Sequence, residues 1–291
     1  MTRGEDAVTA DTAIVTVSYN SGRYLEDFLA STAAATRTDV PLRVVVADND
    51  SDDVVRLAAT TRSHGAEFLE LGRNLGYGGA VNEAVRQLGP EIRWVLVSNP
   101  DVVMEPGSLD VLLSVAGSDD SIGAVGPAIV EPDGSVYPSA RRVPSLRTGL
   151  GHALFANVWP GNPWTRGYHR DGEHDVRRVT GWLSGACLLV RRSAFDSLGG
   201  FDDRFFMYFE DVDLGHRLGR AGWTSVYEPA ARVMHVGAHS TQNSSREMRL
   251  VHHRSAYRFL AGKYDRWYLW PLRAVLRVAL AVRARARSPR P

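Results

Sequence analysis

The sequence predicts an α/β protein with a doubly wound, Rossmann-like, mostly parallel sheet and a helical appendage at its C-terminal end. Three observations carry this expectation: four short apolar runs in the first hundred residues, stretches of helical spacing between them, and polar clusters at the carboxyl ends of the runs.

The first run, AIVTVS (Ala13 to Ser18), is rich in β-branched residues and free of charge, as a strand buried on both faces of a parallel sheet must be. Asn20, Ser21 and Gly22 stop it. Tyr24 to Ala35 places Leu25, Phe28 and Leu29 at helical spacing, and after Pro41 a second strand, LRVVVAD, ends in the acidic turn DNDSDD. Val54 to Ser63 predicts a helix, Glu67 to Leu71 a strand, Gly78 to Leu88 a helix and Arg93 to Ser98 a strand. No element is assigned between 102 and 135. From Val136 to Val179 the chain loses its period and fills with Arg, Pro, Gly and Trp, a composition of surface-lying segments rather than central strands. Order resumes with a strand at ACLLVRR, a short helix from Ser193 to Leu198 stopped by Gly199 and Gly200, and a helix from Asp211 to Ala221 ended by Gly222. Two strands, WTSVYE and RVMHV, follow, and then two helices, roughly Ser245 to Gly262 and Trp270 to Arg285. Residues 1–240 therefore read as a core, with a nucleotide-binding half at about 13–101 and an acceptor half at about 102–240, and residues 241–291 as a helical tail.

With 44% hydrophobic and 23% charged residues the chain has the composition of a folded globular protein, which excludes disorder as its default state. The single cysteine, Cys187, has no internal disulfide partner and suits a reducing compartment. The acidic N-terminal residues lack the apolar stretch of a secretory signal, and no run of 18 apolar residues exists to span a bilayer. A cytoplasmic location is expected, with peripheral attachment to the inner face of the cell membrane. The net charge of +1 conceals a strongly basic end: seven Arg and no acid from Arg266 onward. Nucleic acid is not the expected partner, because acidic clusters occupy the middle of the chain and no second basic patch accompanies the tail. Self-association stays open.

Asn99-Pro100-Asp101 follows directly on RWVLVS, so a strand end aims the Asp101 carboxylate into the crevice where a diphosphate-bound Mg²⁺ or Mn²⁺ would sit; such hard cations need only one or two protein carboxylates. An exposed Asx-Pro turn is the alternative. Asp48 to Asp53 ends the second strand, where carboxylates accept hydrogen bonds from ribose hydroxyls or a base N–H. Arg73-Asn74-Leu75-Gly76-Tyr77-Gly78-Gly79, with Asn82 one turn further on, allows close backbone approach to an anion at a helix start. A hydride-transfer dinucleotide site would need its glycines after the first strand, where this chain has Ser18-Tyr19-Asn20-Ser21-Gly22. Glu210, Asp211 and Asp213 lie in the aromatic segment FDDRFFMYFEDVDL, whose poor hydration raises carboxylate pKa values and favours a base. His235 and His239 follow the last predicted strand, where an imidazole can complete a metal shell. Trp182, Ser184 and Gly185, between the irregular stretch and a strand, fall on the acceptor side.

Taken in order, these motifs resemble family 2 of the glycosyltransferases, which have the GT-A fold, over about Ala13 to Ser240. TVSYNS is similar to the family's first-strand motif, VVADNDSDD to its nucleotide-binding turn, RNLGYGGAVNEA to the segment closing over the nucleotide, and NPD to its variant of the DxD metal motif. The resemblance implies that Ser18, Tyr19, Asn20, Asp48, Asn49, Asp53, Arg73, Asn74, Gly76, Tyr77, Gly78, Asn82 and Asn99 meet the nucleotide. It also implies that Asp101 and His235 hold the metal, and that Glu210-Asp211 is the catalytic pair with the base on Asp211. SNPD, TGWLSGACLLVRR, FDDRFFMYFEDVDL and HVGAHS are similar to the bacterial rhamnosyltransferase branch, particularly actinobacterial members acting on N-acetylglucosaminyl-diphosphoryl-polyprenol. That similarity implies dTDP-L-rhamnose as donor, a lipid-linked glycan as acceptor and inversion at the anomeric carbon. The same chemistry with UDP-galactofuranose, GDP-mannose or UDP-glucose, and a silent sugar-nucleotide-binding module, are the alternatives.

In the tail, Arg273, Arg277, Arg283 and Arg287 fall on one side of a helix, and Leu272, Val275, Val278, Ala279 and Val282 on the other. With Trp267, Tyr268 and Trp270 before it, this pattern predicts an in-plane anchor at the cytoplasmic membrane surface.

Overall fold

The structure, a computed structural model, describes residues 11–37, 42–145, 174–237 and 246–285. His239 and Arg287 lie outside the described residues, as does the side chain of Arg283.

The strands are β1 (Thr12–Ser18), β2 (Arg43–Asp48), β3 (Glu67–Glu70), β4 (Trp94–Ser98), β5 (Val102–Met104) and β6 (Ile122–Val130) in the first half. The pairs β7 (Val136–Tyr137) and β8 (Ala140–Arg141) follow, then β9 (Arg178–Thr180), β10 (Trp182–Leu183), β11 (Cys187–Arg191) and β12 (Thr224–His235). The helices are α1 (Gly22–Thr32), α2 (Val54–Ser63), α3 (Gly76–Arg86), α4 (Ser108–Gly117), α5 (Arg192–Ser197), α6 (Glu210–Arg220), α7 (Arg246–Lys263) and α8 (Trp270–Arg285).

The main sheet runs β3-β2-β1-β4-β11-β6-β12-β5. The left half is parallel, β11 is inserted antiparallel between β4 and β6, and β12 lies parallel to β6. Alternation along β1 explains the layering. Ala13, Val15 and Val17 join a core containing Ala80, Ala84 and Val85 of α3 and Leu214 and Leu218 of α6, while Ile14 joins one containing Leu25 and Phe28 of α1 and Leu109 and Leu112 of α4. The sheet is therefore covered on both faces, and the first four strands and α2 stand where the sequence predicts them.

Two regions differ from expectation. Residues 102–130 hold β5, α4 and the fully buried β6, although the sequence analysis assigns nothing there. IGAVGPAIV hides its strand because Gly and Pro are depleted from strand interiors. Here Gly123 and Gly126 make room for Trp223 and Leu183, and Pro127 sits opposite Glu228 beside a register shift. WTSVYE and RVMHV are one strand, β12, not two. Pro229 interrupts the pattern, and the shift between Glu228 and Arg232 absorbs the extra residues. Buried Glu228 holds that bulge by accepting the Ala230 N–H at 2.9 Å and pairing with Arg177.

The tail packs on the core through Phe259 of α7, which is buried with Phe205 and Val212. On α8, Leu276 and Leu280 are partly covered, while Val275, Val278 and Val282 are 62–65% exposed and Trp267 and Trp270 more than 60% exposed. The outward face of the tail is thus the apolar one. Among the described residues no helix is long and apolar enough to cross a membrane.

Candidate functional site

The carboxyl ends of β1, β2 and β4 and the start of β11 open onto one cleft, because parallel strands deliver their following turns to the same edge of the sheet. At its β1–β2 end, Asn20 is held at φ +54°, donates its backbone N–H to the Ser51 hydroxyl at 2.9 Å and accepts the Asp52 N–H at 2.9 Å. Asp48 is 1% exposed; one carboxylate oxygen accepts the Ser51 N–H, and the other, like the Ser18 hydroxyl, is buried without a protein partner. Orphaned buried oxygens at a strand end are what a site shaped for a hydrogen-bonding ligand contains. Tyr19 lies 53% exposed at the rim.

Asn49 shapes the neighbouring loop: its amide donates to Asn74 at 3.0 Å and to the Gly76 carbonyl at 3.3 Å, and its oxygen accepts the Leu75 N–H at 2.7 Å. Arg73 and Asn74 are exposed there. Gly76 has φ +75°, and a Cβ at this position would overlap the Phe206 carbonyl, which accepts the Tyr77 N–H at 3.0 Å. Gly76→Ala is therefore expected to lower stability by at least about 1–3 kcal/mol and to shift the 206–209 turn, read as a fall in unfolding midpoint. An unchanged midpoint counts against this close approach.

Two other residues expected at the nucleotide serve the framework. Asn82 is buried, its amide donating to the Phe201 carbonyl and to Asp203, each at 2.8 Å, while its oxygen accepts the Phe201 N–H. It joins α3 to the 201–203 turn. Gly78 admits the Phe201 side chain, whose Cβ would lie 2.8 Å from an added Cβ. One carboxylate oxygen of Asp53 pairs with Arg56 one turn into α2, and the other is buried without a protein partner, as at Asp48.

Beyond β4, Asn99 donates its N–H to the Ala186 carbonyl at 2.9 Å, which ties the NPD turn to the start of β11. Asp101 and His235 come together across β5 and β12, with the carboxylate oxygen 3.1 Å from Nε2. Gly237 closes this corner, since a Cβ there would overlap the Asp101 carboxylate. Burial by itself makes the imidazole harder to protonate, but the hydrogen bond to Asp101 and the charges of Asp101 and Glu131 outweigh it, so the His235 pKa is raised. Among the described residues no three His, Cys, Asp or Glu side chains cluster as a closed metal cage. One carboxylate and one imidazole at an open strand end nevertheless fit a divalent ion whose other ligands are diphosphate oxygens.

Across the cleft, α6 starts with Glu210 and Asp211. Asp211 accepts the Gly185 N–H at 3.0 Å and the Val212 N–H at 2.8 Å. Burial raises its pKa, while those N–H groups and the Arg141 guanidinium work to keep it ionised. At Glu210 the opposing support is a hydrogen bond from its own backbone N–H. It is 8% exposed, one oxygen is unpartnered, and burial followed by the Asp211 charge pushes its pKa up to about 8. The surroundings raise the pKa of both carboxyls, and the backbone N–H groups and Arg141 oppose that rise at Asp211. Tyr77 spans the cleft. Its hydroxyl donates to the Gly185 carbonyl at 2.6 Å, and its pKa is raised by burial and by the charges of Glu210, Asp211 and Asp101. Both carboxylate centres thus act on one hydroxyl.

A raised carboxyl pKa means that the folded chain keeps a proton which the unfolded chain releases. That contribution is fully present below about pH 4.5 and is lost as pH rises through about 8. Glu210→Gln is expected to flatten the decline of folding stability between those limits, by at most about 1.4 kcal/mol per pH unit. Parallel wild-type and variant unfolding curves across the range would rule this out.

Ser184 is buried beside Gly185, its N–H donating to the Ser139 carbonyl at 2.7 Å. Trp182 points elsewhere: its indole donates to the Arg142 carbonyl at 3.2 Å, and it packs where Gly215 of α6 has no side chain. Sequence reasoning missed two features. Arg141 comes from the aperiodic stretch, where an Arg pair gives no periodic cue. The other is the support of the start of α6 by the tail. Tyr208 and Phe209 adopt φ +66° and +70° immediately before α6, and α7 holds them there. Ser255 donates to the Met207 carbonyl at 2.9 Å, and the His252 ring lies 5.4 Å from Tyr208 and 5.5 Å from Phe209.

Residues 10–252 match the family described as glycosyltransferase like family 2. The chain is 50% identical over 280 residues to N-acetylglucosaminyl-diphospho-decaprenol L-rhamnosyltransferase of Mycobacterium tuberculosis, covering 93% of this chain and 91% of that protein. It is 26% identical to rhamnosyltransferase WbbL of Escherichia coli strain K12, covering 86% of this chain and 92% of that one. Among solved structures, a mannosyltransferase from Pyrobaculum calidifontis in complex with GDP-Man and Mn²⁺ superposes with a TM-score of 0.58 at 16% identity, over 97% of this chain and 77% of that one. GalNAc-T7 with UDP, GalNAc and Mn²⁺ superposes with a TM-score of 0.57 at 13% identity, over 80% of this chain and 44% of that larger one. At these identities the structural likeness concerns the fold, a GT-A arrangement.

Proposed function

The chain belongs to glycosyltransferase like family 2, and from that premise we propose that it transfers L-rhamnose, with inversion, from dTDP-rhamnose to a hydroxyl of N-acetylglucosamine carried on polyprenyl diphosphate. The observation that carries the chemistry is the carboxylate pair at the start of α6, where the Gly185 and Val212 N–H groups orient Asp211 and favour its ionised form. An ionised, buried and oriented carboxylate is a general base.

In this reading Asp211 takes the proton of the acceptor hydroxyl as its oxygen bonds to the anomeric carbon. The bond from that carbon to the diphosphate breaks on the opposite side, and its electron pair leaves with dTDP. Ser18, Asn20, Asp48 and the loop ordered by Asn49 receive the nucleoside. Ser184 and Gly185 stand on the acceptor side, next to the base. Asp101 and His235 are the side chains that would hold Mg²⁺ or Mn²⁺, whose charge there would stabilise negative charge building on the leaving diphosphate. Residues 1–240 act as the catalytic core and 241–291 as the tail that seats it at the inner membrane face, where a lipid-linked acceptor lies; the exposed Trp267, Trp270, Val275, Val278 and Val282 support that seat.

The test supplies radiolabelled dTDP-rhamnose, UDP-galactofuranose, GDP-mannose and UDP-glucose separately, each with N-acetylglucosaminyl-diphospho-polyprenol. Label is expected in the lipid product from dTDP-rhamnose alone. Label from another donor instead, or nucleotide release without a labelled lipid, would overturn the assignment.

A further inference from the structure

The two N–H groups that Asp211 accepts differ in what they fix. Val212 is the next residue of α6 and moves with Asp211, so its bond, at 2.8 Å, sets the carboxylate against its own helix. Gly185 belongs to the segment between β10 and β11, so its N–H, at 3.0 Å, ties the carboxylate to the sheet side of the cleft. The orientation of the Gly185 peptide therefore decides where Asp211 points. Glycine has no side chain with which to hold its own peptide planes. An added Cβ would lie 3.4 Å from Cε1 of Tyr77 and 3.5 Å from Cβ of Asp211, so the segment passes between these two side chains.

Tyr77 grips both sides of this contact. Its hydroxyl donates to the Gly185 carbonyl at 2.6 Å, at the short end of the range for such bonds. Its backbone N–H donates to the Phe206 carbonyl at 3.0 Å, shortly before Phe209, which caps α6. Its ring stands edge-on to Phe201 with centroids 6.3 Å apart, a packing that needs no hydroxyl. Burial, then the charges of Glu210 and Asp211, hold the hydroxyl well above the usual tyrosine pKa, so it stays a donor wherever a carboxylate acts as base.

We propose that Tyr77 is a positioning residue for the base: its hydroxyl fixes the Gly185 peptide, and that peptide aims Asp211 at the acceptor hydroxyl. The inference rests on the reading of Asp211 as the base and adds to it the residue that orients it. It also moves the work of this tyrosine from the nucleotide, where the family resemblance places it, to the acceptor side of the reaction.

Tyr77→Phe removes the hydroxyl and keeps the ring. Its single-turnover rate is expected to fall about tenfold, the worth of one hydrogen bond, while the dissociation constant for dTDP in Mn²⁺ stays at the wild-type value. In the Asp211→Asn background the same substitution is expected to cost no further rate, because a residue acting through Asp211 has nothing left to aim. The charged or titratable groups that act on Asp211 are Glu210 beside it, Arg141 on β8, Tyr137 on β7 and Tyr77 on α3. The substitution leaves the first three in place and loosens the Gly185 N–H bond that favours the ionised carboxylate, so the acid limb of kcat/KM is expected to move to higher pH. Gly185→Ala keeps the hydroxyl but crowds both neighbours, and is expected to lose rate with dTDP binding retained. Amide hydrogen exchange at Gly185, followed by glycine-selective ¹⁵N labelling without donor or acceptor, is expected to be faster in Tyr77→Phe than in wild type. Five results overturn the assignment: a wild-type rate in either single variant, weakened dTDP binding by Tyr77→Phe, equal rate loss in both backgrounds, an unmoved acid limb, or unchanged exchange at Gly185. Absence of turnover by the wild-type chain with every donor counts against the transferase reading alone, since the exchange measurement uses no substrate.

Discussion

Asp211→Asn is expected to lower kcat by about 10²–10⁴-fold, the usual worth of a positioned proton acceptor, while the dissociation constant for dTDP changes little. The substitution keeps shape and volume but removes the negative charge. It also leaves one of the Gly185 and Val212 N–H groups without its acceptor, at a cost on the order of 1–3 kcal/mol to local stability. Both consequences are measurable together: single-turnover kinetics for the chemical step, dTDP titration for binding, and thermal unfolding for the turn. Glu210→Gln separates the members of the pair. In this reading Glu210, whose pKa is pushed up by burial and by the Asp211 charge, is not the base, so the glutamine variant is expected to retain much more activity than the asparagine variant. Wild-type turnover by Asp211→Asn, or the reverse order of the two variants, would transfer the base elsewhere.

Asp101→Ala is expected to weaken dTDP binding in Mn²⁺ by about tenfold or more, with no difference from wild type when EDTA is present. Among the described residues Asp101 and His235 are the metal-ligating side chains at that corner, so losing the carboxylate removes the hard oxygen ligand. His235 also loses the partner that raises its pKa, which favours its neutral form and shifts the pH dependence of any residual metal binding. Gly237→Ala provides a variant that retains the carboxylate but crowds it, and it is expected to fall between wild type and Asp101→Ala. Full wild-type activity in EDTA would remove the divalent ion from the mechanism.

The strand ends were legible: Asp48, Asp101 and His235 each follow or end an apolar run, and the contact of Asp101 with His235 follows from that local pattern plus the pairing of β5 with β12. Less was legible where long-range packing overrides local preference. Pro127 and Pro229 disguised β6 and β12, because a proline lowers strand propensity locally while a register shift, supported by buried Glu228, accommodates it in the folded sheet. Asn82 looked like a ligand residue from its place in a glycine-rich helix start. Its partners Phe201 and Asp203 lie 119 and 121 residues away, and no spacing rule reaches that far.

Local chemistry written along the chain was enough to set the strand-and-helix alternation, the acidic turns at the sheet edge and the amphipathic tail, since each depends on neighbours within a few residues. The raised pKa values of Glu210 and Asp211 were not available from adjacency, because neighbouring carboxyls respond to what surrounds them. Gly185 from the start of β11 and Arg141 from an aperiodic segment are brought there by folding, as is the burial of both groups. Likewise, α8 leaves Val275, Val278 and Val282 exposed and Leu276 and Leu280 partly covered where it packs along α7, and that choice is made by packing rather than by the period of the helix.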